Sequence, residues 1–346
     1  MNRIIDINEA VKMSEAIIVD VRSEGEFAEA TIPGAINLPL LDNMQRALVG
    51  IAYKEQGSDA ARRLGLDLVA PGLGRYVESF RRLAPGGGII LFCWRGGLRS
   101  KFVAELLDTM GLDTYRLKGG FKSYRRFVND YLGRDALPQQ SIVLHGLTGV
   151  GKTEVLAELK QAGMPVLDLE GMARHRGSVY GKIGLPRSPS QKMFEALIVQ
   201  ELMNAEQTGF FVVECEGRRL GKLLVPEILL QAIKSGRPIL LYAELEQRVR
   251  RIKDIYAGRE DGIQALQEST SYLTRYLGRK KVEELNTLLA AERLEDVFSY
   301  LLTNYYDPLY KYPACPSRDY ELCVDTADIR KAARRIREYI IKLPEY

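Results

Sequence analysis

The feature that most constrains this chain is the loop Gly146-Leu147-Thr148-Gly149-Val150-Gly151-Lys152-Thr153. The apolar run Ser141-Ile142-Val143-Leu144 precedes it, and Val155, Leu156 and Leu159 follow at helical spacing. The context is strand, loop, helix, as a phosphate-binding (Walker A) loop requires. Gly146, Gly149 and Gly151 let the backbone wrap a phosphate chain, Lys152 neutralises it, and Thr153 is placed to bind Mg²⁺. Such a loop recognises a polyphosphate and leaves open what the phosphates are attached to.

A partner strand is expected at Phe210-Phe211-Val212-Val213, ending in Glu214-Cys215-Glu216-Gly217-Arg218-Arg219. An acid at the end of a buried strand is where such domains hold Mg²⁺ or its water. Along an extended strand Glu214 and Glu216 face one way and Cys215 the other. Arg218 and Arg219 are expected to meet a phosphate. Between these elements, Gly171 to Phe194 holds Arg174, His175, Arg176, Lys182, Arg187 and Lys192 and no acid. One-sign charge in a Gly/Pro-rich stretch beside a phosphate loop predicts an anion-binding lid, with Arg174, His175, Arg176 and Lys192 as its substrate-facing residues.

A second loop carries different chemistry. Gly86-Gly87-Gly88 and the apolar run Ile89-Ile90-Leu91-Phe92 lead into Cys93-Trp94-Arg95-Gly96-Gly97-Leu98-Arg99-Ser100. Phe102, Val103, Leu106, Leu107 and Met110 then recur at helical spacing. Cys93 is thus expected where a strand curls into a helix, so that backbone N–H groups and the helix N-terminus converge on one spot. Arg95 and Arg99 add full charge. A thiol held there is suited to act as a nucleophile and to accept sulfur-type groups.

Around this loop the chain reads as a compact α/β domain. Ile17-Ile18-Val19 is a strand ending in Asp20-Val21-Arg22, and Thr114-Tyr115-Arg116-Leu117 is another, closed by Gly119-Gly120-Phe121. Tyr131 to Gln140 reads as a linker. The expected organisation is a domain over 1–130, a linker over 131–140, and a phosphate-loop domain over 141–346 with a helical C-terminal region. Its last helix is expected to be an amphipathic cap, with Ile329, Ala333, Ile336 and Ile340 inward. Cys93, Cys215, Cys315 and Cys323 are too scattered for a disulfide framework, which suggests a reducing, cytoplasmic setting. With only His145 and His175 present, no Cys/His cluster has zinc spacing, and no structural metal is expected. No apolar stretch approaches membrane-spanning length, so a membrane role is not expected.

Net charge is only +4, so nucleic-acid binding would have to come from local patches. One candidate interleaves bases and aromatics: Arg248, Arg250, Arg251, Lys253, Tyr256 and Arg259, then Tyr272, Arg275, Tyr276, Arg279, Lys280 and Lys281. Arg and Lys grip phosphates while Tyr stacks on unpaired bases, which suits a folded RNA with an exposed loop. The stretch Asn304-Tyr305-Tyr306-Asp307-Pro308-Leu309-Tyr310-Lys311-Tyr312 is tyrosine-dense, with Pro308 marking a turn.

The first domain resembles the rhodanese domains, on Asp20-Val21-Arg22, Glu26-Phe27, Ile32-Pro33-Gly34-Ala35, the cysteine loop and the Gly119-Gly120 exit. That resemblance implies a loop cysteine carrying sulfur or selenium. Rhodanese loops commonly place the arginine five residues after the cysteine; here Arg99 is six after Cys93, which is also the tyrosine-phosphatase spacing. A fused Cys-dependent phosphatase and P-loop small-molecule kinase therefore stays open, as does a non-catalytic RNA-binding adaptor.

The order of parts closely resembles the bacterial tRNA 2-selenouridine synthases. Further matches are Tyr53-Lys54-Glu55-Gln56-Gly57-Ser58-Asp59-Ala60, Asp168-Leu169-Glu170-Gly171 leading to Arg174-His175-Arg176-Gly177-Ser178, Ser190-Gln191, Glu216 with Arg218, and Tyr305-Tyr306-Asp307-Pro308-Leu309-Tyr310. The resemblance implies an α/β chain with a rhodanese-like domain and a P-loop NTPase-like parallel-sheet domain with added helices. It implies geranylation of wobble 2-thiouridine in tRNA from geranyl diphosphate, followed by replacement of the geranylthio group by selenium from selenophosphate. Partners would then be the thiolated tRNA, geranyl diphosphate, and selenophosphate with the synthetase that supplies it.

Overall fold

The computed structural model describes residues 3–13, 15–257 and 262–343, and its contacts divide the chain into two compact units. One comprises Met1–Gly133 with Pro189–Leu197, the other Arg134–Ser188 with Ile198–Tyr346. Arg259 lies outside the described residues.

The first unit is built on a fully parallel sheet of β1 (Arg3–Ile5), β2 (Ile17–Asp20), β3 (Ile36–Asn37), β4 (Ile89–Phe92) and β5 (Thr114–Leu117), in the order β1-β5-β4-β2-β3. All four residues of β4 are buried, as a central strand covered on both faces demands. Val19, Phe80, Ile89, Leu91, Val103 and Leu107 form its core. Helix Leu98–Thr109 follows β4 and buries Val103, Ala104 and Leu107 on one face. The expected linker is shorter at both ends: helix Gly120–Leu132 carries Tyr131 as a buried residue, and the next strand opens at Gln140.

The second unit has its own parallel sheet of β6 (Gln140–His145), β7 (Val166–Leu167), β8 (Phe210–Glu214), β11 (Arg237–Tyr242) and β12 (Leu322–Asp325), ordered β12-β11-β6-β8-β7. A small antiparallel hairpin, β9 (Arg219–Leu220) with β10 (Leu223–Leu224), follows β8. Ile142, Leu144, Val155, Leu159, Val212 and Ile239 form the core of the sheet layer. The last helix, Ile329–Ile341, closes this core with Ala332, Ala333, Ile336 and Ile340, and its arginines point out, as the amphipathic pattern predicts. A separate helical core gathers Leu266, Leu285, Leu289, Val297, Phe298 and Leu301.

In each sheet the loop of interest leaves the middle strand, β4 or β6, where neighbouring connections diverge. Open α/β sheets bind ligands at the carboxyl ends of strands at such switch points.

Candidate functional site

Cys93 lies just past β4 and is 3% exposed, its Sγ 3.3 Å from Ser100 Oγ. The loop is backed by the start of helix Gly120–Leu132: Phe121 N donates to the Cys93 carbonyl and Lys122 N to that of Trp94, each at 2.9 Å. Gly120, at φ 58°, allows this approach, since a Cβ there would collide with the Cys93 carbonyl oxygen.

Arg99 does not face the loop as a free cation. Its Nη1 and Nη2 donate to the two carboxylate oxygens of Glu26, at 2.7 and 3.2 Å, with Arg46 Nε 3.9 Å from the same carboxylate. Burial alone would raise the Glu26 carboxyl, but the hydrogen bond and charge of Arg99, with the Ser23 N–H, hold it below the ordinary carboxylate range. Burial likewise pulls Arg99 down, and Glu26 reverses this so that its guanidinium is held more firmly charged. Arg95 is exposed.

In the second unit, the loop after β6 opens on a cavity of about 770 Å³. Gly146, Gly149, Gly151, Lys152 and Thr153 form one wall. Gly151, at φ 92°, turns the chain into helix Lys152–Gln161, whose N–H groups therefore start at the cavity. Lys152 Nζ folds over the loop and donates to the carbonyls of Gly146 at 2.9 Å and Leu147 at 3.4 Å. Beside it stand Glu170, Glu214 and Glu216, with one carboxylate oxygen from each within 4.8 Å of the others.

Burial pushes all three carboxyls up, Glu170 to about 8, Glu216 to about 7, and the fully buried Glu214 well above the ordinary value; Glu216 adds repulsion on Glu170, Glu170 and Glu216 add it on Glu214, and Asp168 adds it on Glu216. Lys152 opposes the rise in each case. Glu214 Oε1 is buried without a hydrogen-bond partner. A divalent cation fits here, because it would satisfy that oxygen and relieve the repulsion.

The far wall is apolar: Ile252, Tyr256, Phe298, Leu301, Leu302 and Tyr180 line it. Of the expected lid, Arg174 and Arg176 reach the cavity, whereas His175 and Lys192 do not line it. The His175 ring is packed between Gly181 and Gly221, and burial followed by the Lys182 charge pushes it toward the neutral form. Lys192 belongs to the other unit, where its Nζ pairs with Glu29 at 2.5 Å, so its charge is already matched. Arg218 is exposed at the hairpin, and its neighbour Arg219 lines the cavity instead.

The basic run divides in the same way. Arg248, expected at an RNA surface, is buried and holds Asp307 and the Thr148 carbonyl. Arg251 bonds the Val150 carbonyl at 2.9 Å and the Thr326 carbonyl, bracing the phosphate loop, and also lines the cavity. Arg275, Arg279 and Lys280 are exposed, with Arg279 paired to Glu283 at 2.9 Å; Lys281 pairs with Glu284. Sequence reasoning did not give Glu170 a role. Its position just past the short β7 was the available signal, since strand ends converge on a switch point. Among the described residues no helix is long and apolar enough to cross a membrane.

Fold and loops together define a two-part α/β protein, a rhodanese-like domain joined to a P-loop domain. The Rhodanese-like domain model matches residues 6–127, and the tRNA 2-selenouridine synthase AAA domain model matches 139–339. The tRNA 2-selenouridine synthase of Cupriavidus pinatubonensis is 36% identical, over 87% of this chain and 89% of its own. That of Pseudomonas syringae pv. syringae is 35% identical, over 88% and 90%. Among solved structures, the rhodanese-related protein of Thermoplasma volcanium is 20% identical over 36% of this chain and 92% of its own, with a TM-score of 0.23. The chain belongs to the tRNA 2-selenouridine synthase family.

Proposed function

We propose that the protein modifies the wobble uridine of tRNA in two chemically separate steps, S-geranylation of 2-thiouridine in the P-loop cavity and selenium replacement at the Cys93 loop. The observation that carries this reading is the cavity's polarity. A phosphate loop with Lys152 stands at one wall and an aliphatic and aromatic surface at the other, matching a charged diphosphate joined to a C10 hydrocarbon.

In the first step the thiocarbonyl sulfur attacks the allylic carbon. The C–O bond breaks, the N3 proton of the thiouridine is lost to solvent, and the electron pair leaves with the diphosphate. Lys152 and the loop N–H groups stabilise the charge that grows there. Arg174 and Arg176 close on the same anion, and Tyr180, Tyr256 and Phe298 exclude water from the allylic carbon. A divalent cation such as Mg²⁺ would be held by Glu214 and Glu216 with Glu170 and Thr153, and would supply neutralisation of the diphosphate charge.

S-alkylation turns a poor leaving group into a good one. The selenium of selenophosphate then attacks C2 of the base, the C–S bond breaks and geranylthiol leaves, and water cleaves the Se–P bond to release phosphate, with the Cys93 loop holding the donor and Arg95 receiving its anionic charge. Glu26, held ionised by Arg99, is poorly suited to be the general acid that the phosphatase alternative needs.

The test is mass spectrometry of nucleosides after mixing the protein, thiolated tRNA, geranyl diphosphate and selenophosphate. Geranylated and then selenated uridine is expected. Robust ATP or phosphate-ester turnover without tRNA, and no modified nucleoside, would favour the phosphatase–kinase alternative.

A further inference from the structure

A ladder of tyrosines runs from the surface of the second unit into the P-loop cavity, and neither anion loop requires it. Tyr276 meets Tyr305 at 5.6 Å between ring centroids, and Tyr305 meets Tyr306 at 4.9 Å. Tyr306, Tyr310 and Tyr312 then continue with their rings nearly parallel, 14° and 10° apart, at 6.5 and 6.3 Å. The inner three line the cavity that the phosphate loop also lines.

The outer end is exposed and basic. Arg275 lies 4.6 Å from the Tyr276 centroid, with Arg279 and Lys280 at the start of the next helix. The inner end is fixed. Leu302–Tyr306 forms a π-helical turn, and Asp307, next in the chain, is clamped by Arg248, which also holds the Thr148 carbonyl of the phosphate loop at 2.8 Å. Tyr306 is buried, whereas Tyr310 is 42% exposed at the rim.

We propose that Tyr310, flanked by Tyr306 and Tyr312, is the seat on which the target pyrimidine of an unpaired RNA loop stacks, with Arg275, Tyr276 and Lys280 holding the adjoining nucleotides. This rests on the tRNA reading above. A base has a π-face for a ring and phosphates for the cations, so it fits a ladder that ends in exposed charge. A hydrocarbon tail gains nothing from those cations, and the buried wall of Phe298, Leu301 and Tyr180 offers it a drier site. A base withdrawn from its loop loses stacking, and the fixed ring restores it beside the phosphate loop.

The test uses an anticodon stem-loop RNA carrying 5-iodouridine at the wobble position, bound to the full-length protein and irradiated. Mass spectrometry locates the crosslink. It is expected at Tyr310, to be abolished in Tyr310→Ala and retained in Tyr310→Phe. Loss of one stacked base should weaken RNA binding roughly 5- to 150-fold in Tyr310→Ala, with Tyr310→Phe close to wild type. A thermal melt confirms that both variants fold. Bound RNA that crosslinks outside Tyr306–Tyr312, or Tyr310→Ala binding like the wild type, overturns the seat alone. An RNA that does not bind the wild-type protein at all overturns the tRNA reading with it.

Discussion

Arg248 and Asp307 form a bidentate ion pair, 2.9 Å from Nη1 to Oδ2 and 2.5 Å from Nη2 to Oδ1, and Nε of the same guanidinium donates to the Thr148 carbonyl at 2.8 Å. One buried side chain thus links the phosphate loop to the tyrosine-rich turn. Desolvating a guanidinium is costly, and only this complete set of acceptors offsets it.

Removing either partner should therefore lower the stability of the fold rather than remove a phosphate contact. Arg248→Ala is expected to destabilise the protein by about 3–5 kcal/mol, the range for breaking a buried pair, in a urea titration. The salt dependence of tRNA binding should keep its slope, because no phosphate contact is lost. A slope lowered by about one unit would restore Arg248 to the RNA surface.

Glu26 orients Arg99 behind the cysteine loop. Glu26→Gln should lower selenation of pre-geranylated tRNA by about tenfold or more, through misplacement of the loop, while geranylation stays unchanged. Equal loss of both activities would show a general folding defect instead.

The same pair carries a pH signature. The folded Glu26 carboxyl titrates below its unfolded value near 4.5, so its contribution is complete above that pH and is lost as pH falls through the folded value. The pair is worth about 1 kcal/mol. Stability of the wild type should fall more steeply than that of Glu26→Gln below pH 4.5; parallel acid limbs would contradict the assignment.

Both loops were readable from the sequence because their chemistry is local. Gly146 to Thr153 must wrap phosphates within one turn of chain, and Cys93 to Ser100 must turn a strand into a helix. The carboxylates at Glu214 and Glu216 were readable for the same reason, lying at a strand end. Arg248 was not, because its partner Asp307 is 59 residues away and a basic helical run looks alike whether it faces water or a carboxylate. Lys192 misled similarly. It sits in a one-sign stretch, yet Pro189–Leu197 groups with the first unit, where Glu29 supplies the opposite charge.

Cys93→Ala should spare geranylation and abolish selenium incorporation. Prenyl transfer needs a diphosphate site and no thiol, whereas the proposed selenium step is assigned to the loop of Cys93, whose buried sulfur lies 3.3 Å from Ser100 Oγ. Nucleoside analysis should find the S-geranyl product accumulating. Loss of that product as well would mean that the two steps are not separable.

The most direct measurement of the central claim is Lys152→Ala assayed on two substrates, thiolated tRNA with geranyl diphosphate and tRNA already geranylated with selenophosphate. Removing one preorganised charge from the leaving diphosphate typically costs about 10²–10³ in rate, so geranylation should fall by that factor. Selenation breaks no carbon–phosphate-ester bond and should remain near wild type. ATP should be neither required nor hydrolysed, and at most should compete with geranyl diphosphate. A requirement for ATP in geranylation, or equal loss of both steps in Lys152→Ala, would contradict the account.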